Sequence, residues 1–126
     1  MEVLDYVIKR HRIDPDRVYL TGISNGGSGV WRLAEAYPDR WAAVAPLGSF
    51  YQPDVAKVRH IPAWIFHGGM DEKAPVAPVR GLVKGLQRVR ADVRYTEVPN
   101  KGHTIFTEIY DSKDLYAWFA EKKRSP

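Results

Sequence analysis

Arg17-Val18-Tyr19-Leu20-Thr21-Gly22-Ile23-Ser24-Asn25-Gly26-Gly27 is the stretch on which the reading of this 126-residue chain turns. Arg17 to Thr21 is rich in β-branched, aromatic and aliphatic residues and predicts a strand. Gly27 to Tyr37 predicts a helix, with Val30, Leu33, Ala34 and Tyr37 at helical spacing on one face. Between the two lies Gly22-Ile23-Ser24-Asn25-Gly26. A serine on so short a strand-to-helix turn is lifted above the carboxyl edge of a sheet, with a helix N-terminus beneath it. The glycines fit a tight, strained bend: side chains at Gly22 or Gly26 are expected to meet neighbouring backbone, and positive φ is expected there. The pentapeptide alone is a weak signal, because loosely specified motifs recur by chance. A serine hydroxyl also needs a base, so the rest of the chain has to supply one.

Working outward, residues 2 to 11 predict a helix through Leu4, Val7, Ile8 and His11. Ile13-Asp14-Pro15-Asp16 is a turn, and Pro38-Asp39 ends the second helix. Trp41 to Leu47 is a continuous apolar run, as expected of a strand covered on both faces. Gly48 to Arg59 reads as loop, and Ala63 to Phe66 as a third buried strand. Val79, Leu82, Val83 and Leu86 stripe a further helix. Asp92 to Val98 alternates as a strand, and a last helix is expected from about Asp111 to Lys122, with Leu115, Trp118 and Phe119 inward. Helix and strand alternate throughout. The fold class is therefore α/β: about four parallel strands flanked by helices, in a single domain over residues 1–126.

Composition narrows the function classes. At 44% hydrophobic and 27% charged, the chain is neither disordered, collagenous nor coiled coil. No apolar run reaches the roughly 20 residues of a membrane helix, so no membrane partner is expected. Met1-Glu2-Val3-Leu4-Asp5 lacks the basic start and apolar stretch of a signal peptide. The chain is thus expected to be soluble, or to be one from which a leader was removed. It has no cysteine, which removes disulfides, thiolate metal sites and a cysteine nucleophile. The net charge of +4 is spread rather than clustered. Arg88, Arg90 and Arg94 read as a solvated helix face and Lys122-Lys123-Arg124 as a frayed end, so no nucleic acid is expected. Four histidines without ligand spacing argue against a metal. Gly26-Gly27 lacks the rest of a nucleotide-binding fingerprint.

Active sites of parallel α/β sheets sit at the carboxyl ends of the strands. Ser24 follows the first strand, His67-Gly68-Gly69-Met70-Asp71 the third, and Pro99-Asn100-Lys101-Gly102-His103 the fourth. A hydroxyl, a carboxylate and an imidazole thus belong to three loops on one edge. His103 can take the Ser24 proton, and Asp71 can hold the imidazole in the right tautomer. Asp54 and Glu72 are rival carboxylates, but neither directly follows a strand on the right loop. Plainer readings exist for each residue: Ser24 as a helix N-cap, Asp71 as a turn residue, His103 as a loop histidine. His67 reads as a structural group beside the site, and His11 and His60 as uninvolved. Phe50 and Tyr51 follow the second strand and could line an acyl pocket or merely pack the loop.

With these residues on the page, the chain resembles the C-terminal half of an α/β-hydrolase. It is most similar to the branch of polyhydroxybutyrate depolymerases, feruloyl esterases and phospholipase/carboxylesterase-like enzymes. The likeness is carried by Asp16 to Gly27, by Tyr37 to Pro46, by His67-Gly68-x-x-Asp71 with Pro75-Val76, and by Gly102-His103. It covers nearly the whole chain, in the family order Ser, Asp, His. The resemblance implies Ser24 as nucleophile, Asp71 as acid, His103 as base and the Asn25 amide as one oxyanion donor. It implies no cofactor, and a family often secreted. Its substrates would be carboxylic esters of small acyl, feruloyl or polyester type. Alternatives are an inactive module that mainly self-assembles, and a serine peptidase.

The departure from the family is the missing first half of the sheet. The second oxyanion donor of the family comes from that half, and losing one donor costs about a hundredfold or more in turnover. The strand at Val18 to Leu20 also becomes an edge, and an open apolar edge invites pairing. A homodimer through that edge, making one eight-stranded sheet, is the expected closed solution.

Overall fold

The computed structural model describes residues 1–124. The order of elements is α1 (Glu2–Arg10), β1 (Tyr19–Ile23), α2 (Asn25–Ala36), β2 (Ala43–Leu47), α3 (Val55–Val58), β3 (Ala63–Gly68), α4 (Val76–Arg88), β4 (Val93–Val98), α5 (Phe106–Asp111) and α6 (Lys113–Glu121). The four strands form one parallel sheet in the order β1-β2-β3-β4. Because parallel crossovers are right-handed, a sheet wound in one direction sets its connecting helices on one face. The core follows that rule. On one face, Val44, Ala63 and Ile65 pack with Val30, Trp31 and Ala34 of α2, Val58 of α3, and Val79, Leu82, Val83 and Leu86 of α4. On the other, Ala43, Ala45, Leu47, Trp64 and Phe66 pack with Ile105 and with Leu115, Trp118 and Phe119 of α6. β2 and β3 are buried along their whole length, which explains their unbroken apolar sequences.

Three local expectations need correction. The segment expected to be a plain loop from Gly48 to Arg59 contains α3. Asp54 caps it by accepting a hydrogen bond from the Ala56 amide at 3.0 Å. That rival carboxylate is thereby a capping residue. The last helix, α6, lies where it was expected, but an unexpected short helix, α5, precedes it; Ser112 between them is extended, and its hydroxyl accepts from the Asp114 amide to start α6. The inner face of α2 is also rotated from the one expected. Trp31 is buried, whereas Leu33 and Tyr37 are 37% and 42% exposed. Close packing explains the rotation. Gly27 has the Leu47 carbonyl oxygen 2.9 Å from where a Cβ would lie, so the glycine side of the helix faces β2. Trp31, four residues on, follows it inward.

β1 has one strand neighbour among the described residues, so its other side is an edge. The C-terminal segment holds the approach to this strand. The Tyr19 hydroxyl donates to the Lys122 carbonyl at 2.9 Å, and the Arg124 guanidinium holds Asp16 at 2.8 Å.

The rotated face of α2 gives a direct test. Trp31→Ala should cost about 3–5 kcal/mol in urea unfolding, the range for emptying a large buried site. Leu33→Ala should cost under about 1 kcal/mol. Equal losses would restore the original face.

Candidate active site

Ser24 sits between the end of β1 and the first residue of α2, with φ 53° and ψ −115°. The positive φ expected at the glycines thus falls on the serine itself, at a cost of about 1–3 kcal/mol that neighbouring structure must offset. Gly22 allows the bend, since a Cβ there would lie 2.5 Å from the Gly26 carbonyl oxygen. Gly26 differs from expectation: a Cβ there would meet nothing within 4 Å. Gly27, against β2, is the second glycine that space requires. The elbow is pinned by the Ser24 amide, which donates to the Leu47 carbonyl at 2.8 Å. The Ser24 hydroxyl makes no capping bond to α2, so it is free for other partners.

His103 lies in the loop between β4 and α5. Its Nε2 is 2.7 Å from Ser24 Oγ, and its Nδ1 is 2.6 Å from Asp71 Oδ2. A carboxylate only accepts, so Nδ1 carries the hydrogen and Nε2 is left to receive one from the hydroxyl. Residues remote in sequence are brought together by close backbone approach. A Cβ on Gly68 would overlap the carbonyls of Gly102 and Lys101, so the end of β3 lies directly against the histidine loop. The Met70 amide donates to the Lys101 carbonyl at 3.0 Å and fastens the acid loop to the same segment. Gly48, at φ +61°, lies under the imidazole: a Cβ there would be 3.4 Å from His103 Cε1. In the sequence, Gly48 stood only as the start of a loop and Gly68 only as a member of His67-Gly68-x-x-Asp71. Their positions just after β2 and at the end of β3 were the available signal.

Asp71 is buried, and its Oδ1 accepts from the amides of Lys73 and Ala74 at 2.9 and 2.8 Å. Burial pushes its carboxyl up. The Ala74 amide, the His103 hydrogen bond and the nearby imidazoles outweigh burial and leave it below the usual carboxylate value. The Asn25 amide heads α2, where the first N–H groups of a helix lack intrahelical partners. It is adjacent to Ser24, and as the first N–H of the helix it carries part of the dipole's positive charge. Phe50 is 55% exposed just beyond Gly48. Tyr51 is turned away from the acyl-pocket role: its hydroxyl donates to Glu35 at 2.5 Å and Arg32 lies over its ring, so it packs the loop against α2. His60 Nε2 is 2.9 Å from the Pro38 carbonyl, and His11 is exposed at the C-terminal end of α1, so neither joins the group. Among the described residues no cluster of His, Cys, Asp and Glu could hold a metal. A groove of about 630 Å³ lies at the opposite, amino end of β2 and β3, lined by Trp41, His60, Lys123 and Arg124 among others.

The chain has the fold of the α/β-hydrolase superfamily, and the proteins it is similar to include esterases and depolymerases. The profile of the prolyl oligopeptidase family matches residues 1–60. A poly(3-hydroxyoctanoate) depolymerase of Pseudomonas fluorescens is 30% identical over 121 residues, covering 85% of this chain and 41% of that protein. A bifunctional acetylxylan esterase/xylanase of Neocallimastix patriciarum is 28% identical over 123 residues, covering 93% of this chain and 17% of that one. The crystal structure of a thermostable esterase superimposes with a TM-score of 0.83 at 28% identity, over 98% of this chain and 35% of its own. The chain spans less than half the length of the curated relatives it matches.

The carboxylates of the site predict an acid limit to stability. Paired bonds from Arg80, then the Tyr95 hydroxyl, hold Glu97 at about 2 against a smaller push from burial. Asp71 is lowered as well. Groups depressed on folding stabilise the protein above their unfolded values and lose that contribution as pH falls through the folded ones. Unfolding free energy should therefore be level above about pH 5 and decline toward pH 2. In Glu97→Gln the decline should be shallower. An identical decline in the variant would remove Glu97 from the account.

Proposed function

We propose that this chain carries the catalytic residues of a serine esterase acting on carboxylic esters. The observation that supports this most is the His103 ring, within hydrogen-bond reach of the Ser24 hydroxyl on one side and the Asp71 carboxylate on the other. Ser24 Oγ attacks the ester carbonyl carbon while His103 Nε2 takes its proton. The carbonyl oxygen becomes an oxyanion, to which the Asn25 amide donates. Asp71 holds the imidazole in its tautomer and stabilises the imidazolium that forms. The imidazolium then protonates the departing alkoxide, leaving an acyl group on Ser24. Water, deprotonated by the same imidazole, releases the acid and restores the serine. No cofactor takes part.

The substrate class rests on the relatives. Relatives named as poly(3-hydroxyalkanoate) and poly(3-hydroxyoctanoate) depolymerases and as an acetylxylan esterase favour a carboxylic ester, of small acyl, feruloyl or polyester type. Phe50, exposed just beyond Gly48, is the side chain assigned to the acyl group in this reading. Turnover by the chain at this length is weak, because the resemblance assigns the second oxyanion donor to a part of the fold that these residues do not include. We propose that the open side of β1 pairs with its copy in a second chain, giving a continuous eight-stranded sheet. The match to the prolyl oligopeptidase profile favours a second reading, that of a peptidase built on the same residues.

With Ser24→Ala as the blank, the chain should hydrolyse p-nitrophenyl esters measurably and a peptide p-nitroanilide far more slowly. A fluorophosphonate probe should modify Ser24 and no residue of the blank. A wild-type chain that the probe leaves untouched, beside a control hydrolase that labels, contradicts the enzymatic reading. Faster cleavage of the amide favours the peptidase. Size-exclusion chromatography with light scattering at micromolar concentration should give twice the 14.4 kDa chain mass. A single-chain mass rejects the proposed pairing.

A further inference from the structure

His67 is buried completely, at 0% exposure, and the proposed reaction gives it no task. It occupies the carboxyl end of β3, on the sheet face that two and four residues earlier carries Ile65 and Ala63 into the core. An aliphatic side chain would fill such a place without burying a polar group. Its Nε2 lies 2.6 Å from the Ala74 carbonyl oxygen. A carbonyl only accepts, so Nε2 bears the hydrogen. Nδ1 is then a bare lone pair, and it is buried without a partner. The charged groups around the ring are few. Asp71 Oδ2 is 3.6 Å from Nε2 on the same side. Glu97 is the register partner on β4, and its carboxylate is taken by Arg80 of α4 and by Tyr95.

The contacts run in series. His67 Nε2–H holds the Ala74 carbonyl, the Ala74 amide donates to Asp71 Oδ1, and Asp71 Oδ2 meets His103. We propose that His67 is a positioning residue for Asp71. It fastens the far end of the Asp71–Ala74 turn to β3, so that the amides fix one carboxylate oxygen and the other is aimed at His103. The catalytic consequence rests on reading Ser24, His103 and Asp71 as the hydrolytic group, whereas the fastening itself does not.

The test compares the wild-type chain with His67→Leu, which fills the space and donates nothing, and with His67→Gln, whose amide can still donate to Ala74. His67→Phe replaces the leucine variant if that one does not fold. One readout is the far-downfield proton resonance of the hydrogen between His103 and Asp71, which needs only a folded chain. The other is the rate of Ser24 labelling by a fluorophosphonate, resolved into the maximal rate and the half-saturating probe concentration. In the leucine variant, with wild-type far-ultraviolet circular dichroism, the resonance should broaden or vanish. The maximal rate should fall about tenfold at unchanged half-saturation, as expected when a reacting group is misplaced. The glutamine variant should keep the resonance and label within about threefold of wild type. A folded leucine variant with both readouts unchanged overturns the proposal, as does equal impairment of the two variants. A wild-type chain that shows the resonance but never labels, and loses the resonance in the leucine variant, supports the fastening and rejects the hydrolytic reading.

Discussion

One imidazole ring ties the carboxyl edge of this sheet together. His103 reaches Ser24 at 2.7 Å and Asp71 at 2.6 Å, from a loop distant in sequence from both. Hydrogen bonds of this kind weaken steeply with distance and angle, so each loop has to be fixed to within a fraction of an ångström. Backbone, rather than long side chains, does the fixing. The Ser24 amide is bonded to Leu47, the Met70 amide to Lys101, and the Gly48 amide to Phe66. Every one of these bonds crosses from one strand end to the next. The site is in this sense an extension of the sheet by one more row of hydrogen bonds.

Glycine makes that extra row possible. At Gly22, Gly27 and Gly68 the space for a Cβ is already taken by carbonyl oxygens, of Gly26, Leu47 and Gly102 respectively. At Gly48 the backbone itself has positive φ, and the imidazole lies against it. Ser24 is the exception that shows the cost. It takes the positive φ while bearing a side chain, and the surrounding bonds hold it there. A hydroxyl kept in that posture is directed away from the capping role that serine usually fills at the start of a helix.

Much of this was legible in the residues. The buried strands announced themselves through unbroken apolar runs, and the edge carrying the site followed from strand polarity alone. Ser24, Asp71 and His103 could be singled out because the proposed chemistry needs those residue types just after strands, and the fold brings the three within hydrogen-bond reach. What stayed hidden has particular causes. The inner face of α2 was misassigned because Leu33 and Tyr37 satisfy helical spacing as well as Trp31 does, and only the close approach at Gly27 decides between them. The short α3 depends on a single cap at Asp54, and the break between α5 and α6 on Ser112, neither of which periodicity can reveal. Tyr51 was ambiguous because its partner, Glu35, lies on another element. Phe50 is exposed, and nothing among the described residues closes a cleft over it.

The same local logic explains why these residues can be read together. The loops that carry Ser24, Asp71 and His103 all follow strands within the described sheet, whereas the outer side of β1 is open. Central to the account is that the three side chains act as one unit, and coupling between them measures this most directly. The rate of fluorophosphonate labelling at Ser24 should be compared in His103→Ala, Asp71→Asn and the double variant. If the carboxylate acts only through the imidazole, the double variant should label no more slowly than His103→Ala alone. Losses that simply multiply would contradict the account, because the two residues would then be working independently.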